Sequence, residues 1–361
     1  MTRPARLVLS AAALRRNFKA VQSRANDAHI YAVVKANAYG HGIVWAARVL
    51  NEAGARAFAV ACMEEAVCIR EAGLHQRVLL LAGAVDDREL SQVLGYGFDL
   101  VVHRQEQVEA LLRRDVSCGG LVWIKIDTGM GRLGFPAHRA AELWRQLKAH
   151  VGVGRVGLMT HLANADDPDD PVTADQVSVF HSVSERLPGV FVSVLNSAGL
   201  LMVSKARGDW VRPGIMLYGV CPVAGKAASD YGLTPVARFE SALIDVKPLP
   251  KGARIGYGGT TVLERDSRIG VVAAGYGDGY PRGIAAGTPV IVAGAAVPIV
   301  GRVSMDMLTV DLTDCPNAAL GDRVLLWGGD LSVEAIAARA NTIGYELLCR
   351  VTNRVVRTTG G

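Results

Sequence analysis

A lysine closes the first long apolar strand of the chain, in the stretch AVVKANAYGHG that carries Lys35. At such a strand end, burial lowers an amine's pKa and frees it for carbonyl chemistry. Asn37, Tyr39, Gly40, His41 and Gly42 follow at once. The glycines let backbone approach a ligand closely, and the Tyr39 hydroxyl can donate to a phosphate. Asn196 and Ser197 close the later apolar run FVSVLNS, and Arg212 opens RPGI at the end of the next. Loops in those positions commonly bind phosphate in barrel enzymes. Each residue alone has a plainer reading. An isolated lysine snorkels out of a strand end. Ser197 caps a helix, His161 is a satisfied core histidine, and Arg212 a surface ion-pair partner.

The elements that must position these groups are legible from residue 28 to about 220. HIYAVVK, RAFAVA, RVLLLAG, FDLVVH, LVWIKID, VGLMTHL, FVSVLNS and WVRPGIMLYG read as strands. Helical stretches such as GIVWAARVLNEAG and MEEAVCIREAG separate most of them. The strands are apolar throughout, as expected when both faces are covered. About eight strand–helix units suit a closed (β/α)8 barrel, with an open doubly wound sheet as the competitor. The fold class is α/β: a TIM-type barrel over residues 11–232, then a mainly antiparallel β domain over 233–361. The second part is marked by strands joined through Gly- and Pro-rich turns, with helical pattern returning only at SVEAIAARAN. RLVLS, within residues 1–10, reads as a strand added to the β domain, with a helix starting near Ser10.

Composition narrows the function classes. The 361 residues are 50% hydrophobic and 20% charged, ordinary for a globular chain. The net charge of +5 is spread without a basic run, which gives nucleic-acid binding little support. No apolar run is long enough to span a bilayer, and the N-terminus lacks a signal-peptide pattern. The six cysteines, Cys62, Cys68, Cys118, Cys221, Cys315 and Cys349, are scattered without a CxxC pair. They read mostly as buried free thiols rather than disulfides or metal ligands, which places the chain in a reducing cytoplasm.

AVVKANAYGHG resembles the cofactor-lysine signature of alanine racemases, which are fold-type III pyridoxal phosphate enzymes. KIDTGMGRLGF, MTHLANAD, LNSAG, RPGIMLYG, IGYGGT, GYGDGYPR, VGRVSMDMLTVD and GYELLCR resemble the family in the same order, across essentially the whole chain. The resemblance implies a homodimer that interconverts L- and D-alanine, supplying D-alanine for peptidoglycan or catabolising it. It implies that Lys35 holds the cofactor and acts as one base, with Tyr257 as the second base on the opposite face of the substrate. His161 stands beside Tyr257, with Arg212 next in the hydrogen-bond chain and at the pyridine nitrogen. Tyr39, Asn196, Ser197, the backbone of Gly214 and Ile215, and Tyr345 hold the phosphate end. Arg132 meets the cofactor oxygen and the substrate carboxylate, and Lys125 takes the position of a lysine often carbamylated in the family. Met305 and Asp306 cover the substrate carboxylate and, with Tyr257, come from the neighbouring subunit, while Tyr276 lines a narrow access channel.

Two other classes compete. A fold-type III decarboxylase of a basic amino acid shares barrel, lysine and β domain, but its Cys-Asp substrate motif is not evident. A non-enzymatic pyridoxal phosphate carrier resembles only the barrel, which leaves Tyr257 and its domain unexplained. The ending VTNRVVRTTGG departs from the Pro and terminal Tyr that often close relatives.

Overall fold

The computed structural model describes residues 3–114, 118–203, 206 and 208–360. The chain divides into two compact units. One comprises Leu14–Ala38 and Gly42–Leu233, the other the chain up to Ala13, Tyr39–His41 and everything from Thr234.

The first unit is a closed parallel barrel. Its strands are His29–Val33, Ala57–Val60, Arg77–Leu80, Asp99–Val102, Cys118–Asp127, Val153–Met159, Phe191–Ser193 and Trp210–Val211. Each pairs in parallel with the next, and Trp210–Val211 returns to pair with His29–Ile30. That closure eliminates the open doubly wound sheet. Helices such as Ile43–Glu52 and Met63–Glu71 cover the outside, burying Ile43, Ala46, Ala47, Val49 and Leu50 from the first. The predicted run WVRPGIMLYG is a strand for two residues only. Pro213 has no N–H to continue the ladder, and Ile215–Tyr218 turns into a 3-10 helix instead.

The barrel floor is aromatic and polar. Tyr31 stacks on Trp210 at 4.1 Å between ring centroids, and Trp123 meets both edge-on. Buried Asp99 accepts from Tyr31 Oη at 2.7 Å, from the Arg77 guanidinium and from Leu121 N–H at 2.6 Å. Every lone pair of that carboxylate faces a donor, which is what burying its charge requires. Side chains alternate along a strand, so Lys125 and Arg212 share the face of Trp123 and Trp210, one layer higher.

The second unit is an antiparallel ring that runs Ser267–Val272, Leu308–Asp311, Ala295–Val300, Pro289–Val292, Arg323–Trp327 and Ala237–Leu249, the last pairing again with the first. The 13-residue strand pairs with Arg323–Trp327 through Phe239–Ala242 and with Ser267–Val272 from Leu243 onward, with a register shift between Leu243 and Asp245. Arg6–Ser10 pairs antiparallel with Ala237–Leu249 and parallel with Val356–Gly360. The helix after it begins at Ala11, where Ser10 Oγ accepts the Ala13 N–H at 3.2 Å. The expectation of mostly buried thiols needs correction. Cys221 and Cys315 are buried, but Cys62 and Cys349 are exposed and Cys68 is intermediate, because these three lie at or on helices. Among the described residues no helix is long and apolar enough to cross a membrane.

Candidate active site

Lys35 follows the strand His29–Val33 and opens a left-handed turn. The φ angle is 52° at Ala36, 53° at Asn37, 55° at Ala38 and 51° at Tyr39. Such a conformation costs an L-residue roughly 1–2 kcal/mol, so four in a row need strong restraint. Ala38 N–H donates to Val34 O at 2.8 Å and Gly42 N–H to Asn37 O at 2.9 Å. The Asn37 carboxamide accepts from Ile43 N–H at 2.8 Å, and Asn37 N–H donates to Glu65 at 3.3 Å. Below the turn, Tyr218 Oη donates to Val33 O at 3.0 Å and holds the lysine strand down.

Four further cationic or basic groups gather at the C-terminal ends of the barrel strands, where barrel enzymes place their chemistry. They are Lys125, Arg132, His161 and Arg212. Burial lowers the Lys125 pKa to about 8, and nearby Arg212, Arg132 and Lys35 add to the effect while Asp127 opposes it. Burial, then Arg212, Lys125, Arg132 and Lys35, takes His161 to about 2, so its imidazole is neutral. Burial lowers Arg212 to about 10, which leaves it protonated. Its Nη1 meets Ser193 Oγ, and its Nη2 donates to Thr160 O at 2.5 Å and Val194 O at 3.2 Å. These bonds fix the guanidinium plane. The loop bearing Arg132 is shaped by Asp127, whose Oδ1 accepts from Gly129, Met130 and Gly131 N–H at 3.0, 3.0 and 3.1 Å. Burial pushes that carboxyl up, but the three N–H groups outweigh it and hold its pKa below the usual range.

Beside this cluster lies a small donor cradle. Ser197 Oγ accepts from Gly214 N–H at 2.8 Å and Met216 N–H at 3.4 Å. The sequence allowed Ser197 to be the helix cap. The cap is Asn196 instead, whose side chain accepts from Gly199 N–H at 2.9 Å. Ser197 is thereby left at the head of its helix, against the 3-10 turn that starts at Ile215. Leading N–H groups of such turns lack intrahelical partners, and here Ser197 Oγ takes up those of Gly214 and Met216, which brings its hydroxyl to the start of the turn.

The remaining predicted residues lie in the second unit. Tyr39 is buried beside Tyr345, ring centroids 6.1 Å apart, and burial raises its phenol pKa well above normal. Tyr257 is 67% exposed. It sits on a turn whose Gly256, Gly258 and Gly259 have φ of 68°, 76° and 52°. Tyr276, Met305 and Asp306 come together, because Tyr276 N–H donates to Ser304 O at 3.0 Å and Gly277 N–H to Met305 O at 2.8 Å. The turn GYGDGY, which could have been a plain strand connection, is this docking element.

Two residues escaped the sequence reading. Gln176 is buried and tied to both the Thr128 and His161 loops. Its signal was a polar residue at core spacing with Thr173 and Phe180 on the helix Val172–Ser184. Asp278 is fully buried between glycines in GYGDGY and bound by two arginines. Those partners are remote in sequence, so nothing local distinguished it from an exposed turn acid.

Residues 9–222 match the family model described as alanine racemase, N-terminal domain, and residues 236–359 match alanine racemase, C-terminal domain. The chain belongs to the alanine racemase family. An alanine racemase of Legionella pneumophila (strain Corby) is 46% identical over 357 residues, 98% of this chain and 99% of the relative. One from Azoarcus sp. (strain BH72) is 46% identical, covering 99% and 100%. Among solved structures, the biosynthetic alanine racemase of Pseudomonas aeruginosa superposes with a TM-score of 0.96 at 42% identity, covering 100% of both chains. The Bartonella henselae alanine racemase, titled with covalently bound pyridoxal phosphate, gives 0.90 at 29% identity over 99% of both chains. The chain is therefore an isomerase of the alanine racemase family with the family's barrel and β domain.

Proposed function

We propose that the chain interconverts L- and D-alanine with pyridoxal phosphate as cofactor. The observation that carries this reading is the cluster of Lys35, Lys125, Arg132, neutral His161 and buried Arg212 at the strand ends, next to the Ser197–Gly214 cradle. That donor set suits a group with a phosphate, a phenolic oxygen and a ring nitrogen. Relatives named alanine racemase support the substrate, and the cofactor in the Bartonella structure's title supports the cofactor.

Lys35 would hold the cofactor, with Tyr39, Asn196, Ser197, Gly214, Ile215 and Tyr345 at its phosphate, Arg132 at its oxygen and Arg212 at its ring nitrogen. When bound, pyridoxal phosphate supplies an electron sink that acidifies the substrate α-hydrogen. The Lys35 amine takes or returns a proton at Cα on one face. The Tyr257 phenolic oxygen does so on the other, since racemisation needs a proton carrier on each side. His161, with its neutral imidazole, would assist Tyr257 in taking that proton. Arg212 keeps its own protons, so it would hold the cofactor's ring nitrogen without protonating it. Lys125, with its pKa near 8, retains enough neutral amine to add to carbon dioxide. The nitrogen lone pair forms the new N–C bond, one C=O becomes a carboxylate, and a proton leaves. The resulting anion pairs with Arg132 and aims it at the substrate carboxylate.

Tyr257, Met305 and Tyr276 are exposed by 67%, 52% and 39%, as expected of residues offered to another surface. We place them, with Asp306, in the site of a partner subunit in a homodimer. A biosynthetic, cytoplasmic role is favoured by the Pseudomonas relative's title and by the scattered thiols.

The test supplies L-alanine and follows both enantiomers by chiral chromatography, together with carbon dioxide. Equal final amounts of L- and D-alanine without carbon dioxide are expected, and borohydride should fix the cofactor on the Lys35 peptide. Loss of carbon dioxide, or no turnover of alanine by the cofactor-loaded protein, would overturn the reading.

A further inference from the structure

Asp278 lies at the centre of a buried ionic knot in the second unit, and its side chain has no exposed surface. Arg3 Nε and Nη2 reach its two oxygens at 3.0 and 2.5 Å. Arg354 Nε reaches it at 2.9 Å, and Gly275 N–H donates to it at 2.9 Å. Both arginines also hold Asp306. Arg3 Nη2 donates to the Asp306 carbonyl at 2.7 Å, and Arg354 Nη2 to the Asp306 carboxylate at 2.5 Å. The carboxylate of Asp278 is thus the common counter-charge of the two groups that fix Asp306 through its backbone and its side chain.

The same residue fixes Met305. The turn around Asp278 packs backbone to backbone on Ser304 and Met305. A Cβ at Gly275 would lie 2.2 Å from Ser304 O, and one at Gly277 would lie 2.7 Å from Arg354 Nη1 and 3.0 Å from Met305 O. No side chain fits between these segments, so any movement of the turn moves Met305.

We infer that Asp278 is a positioning residue that sets substrate specificity, by locking Met305, Asp306 and Tyr276 into one rigid rim. The inference rests on the functional reading above, in which those three residues bound the substrate. A rigid rim rejects side chains larger than a methyl group, because it cannot yield to them. With Asp278 neutral, Arg3 and Arg354 lose their shared anchor, Asp306 retains two cations with no fixed geometry, and the rim gains room.

The test compares Asp278→Asn and Arg354→Gln with the unaltered holoenzyme. Arg354 is partly exposed, so its variant remains informative if Asp278→Asn does not fold. The ratio of kcat/KM for L-serine over L-alanine is expected to rise about tenfold or more, the scale of one small group in a fitted pocket. Amide exchange at Tyr276 and Gly277, which donate to Ser304 and Met305, should quicken about tenfold or more. An unchanged ratio or unchanged exchange in a folded variant overturns the proposal. If the unaltered enzyme turns over no amino acid, the functional reading falls, and the exchange rates alone decide whether Asp278 locks the rim.

Discussion

Gln176 Nε2 donates to the backbone carbonyl of His161 at 3.1 Å, while its Oε1 accepts the Ala163 N–H at 2.8 Å. The same Nε2 reaches Thr128 Oγ1 at 3.3 Å, and Thr128 meets Thr160 at 2.8 Å. One buried carboxamide therefore clamps the loop of His161 to the loop of Arg132. Replacing Gln176 with Leu keeps volume and removes all three bonds. Displacement of a site group by about 1 Å can cost about a hundredfold. We expect kcat to fall about ten- to a hundredfold, with cofactor absorbance retained and KM for alanine raised. Steady-state kinetics within twofold of the parent would show that the clamp does not position the site.

The two-base assignment separates two measurements. In Tyr257→Phe, racemisation should fall about 10²–10⁴-fold, the usual contribution of a positioned acid or base. Exchange of the α-hydrogen with deuterated water should survive for one enantiomer, through Lys35. Deuterium uptake by mass spectrometry checks this, and equal loss of exchange for both enantiomers would refute independent bases.

His161 makes stability depend on acid. Its folded pKa is about 2 because of burial and four cationic neighbours. The unfolded chain binds this proton near pH 6.5 and the folded chain does not. Its stability is therefore whole above about 6.5 and declines as pH falls toward 2, by about 1.4 kcal/mol per pH unit. Urea unfolding of the cofactor-free chain at pH 6 and pH 4 should show a shallower decline in His161→Asn.

Gly40 and Gly73 have nearly the same φ, +81° and +79°, but different surroundings. A Cβ on Gly40 would lie 2.2 Å from Leu348 O, whereas one on Gly73 meets nothing within 4 Å. Gly73→Ala should cost about 1 kcal/mol, the conformational penalty alone. Gly40→Ala adds a collision with backbone and should cost more than about 3 kcal/mol, with loss of cofactor loading from the adjacent Lys35 turn. Thermal denaturation of the two variants provides the comparison.

The barrel was legible because its strands are buried on both faces and so read as uninterrupted apolar runs. The strand ends then located Lys35, Ser197 and Arg212 without any tertiary information. The left-handed turn was not legible. Ala36 and Ala38 have no local preference for positive φ, and only their bonds to Val34 and the neighbouring helix start enforce it. Asn196 rather than Ser197 caps its helix because Ser197 finds a better partner in Gly214, seventeen residues on. Gln176 and Asp278 were missed for a related reason: their partners lie on other elements, beyond the reach of periodicity.

The barrel closes only when Trp210–Val211 meets His29–Ile30. A nascent chain emerging from the ribosome therefore carries its lysine strand with one edge open until the last barrel strand has cleared the exit tunnel. That edge is a template for pairing with other chains, and contacts so distant in sequence form slowly. Conditions that slow translation before residue 210 should consequently raise the yield of aggregates, and fragments ending there should fail to retain cofactor.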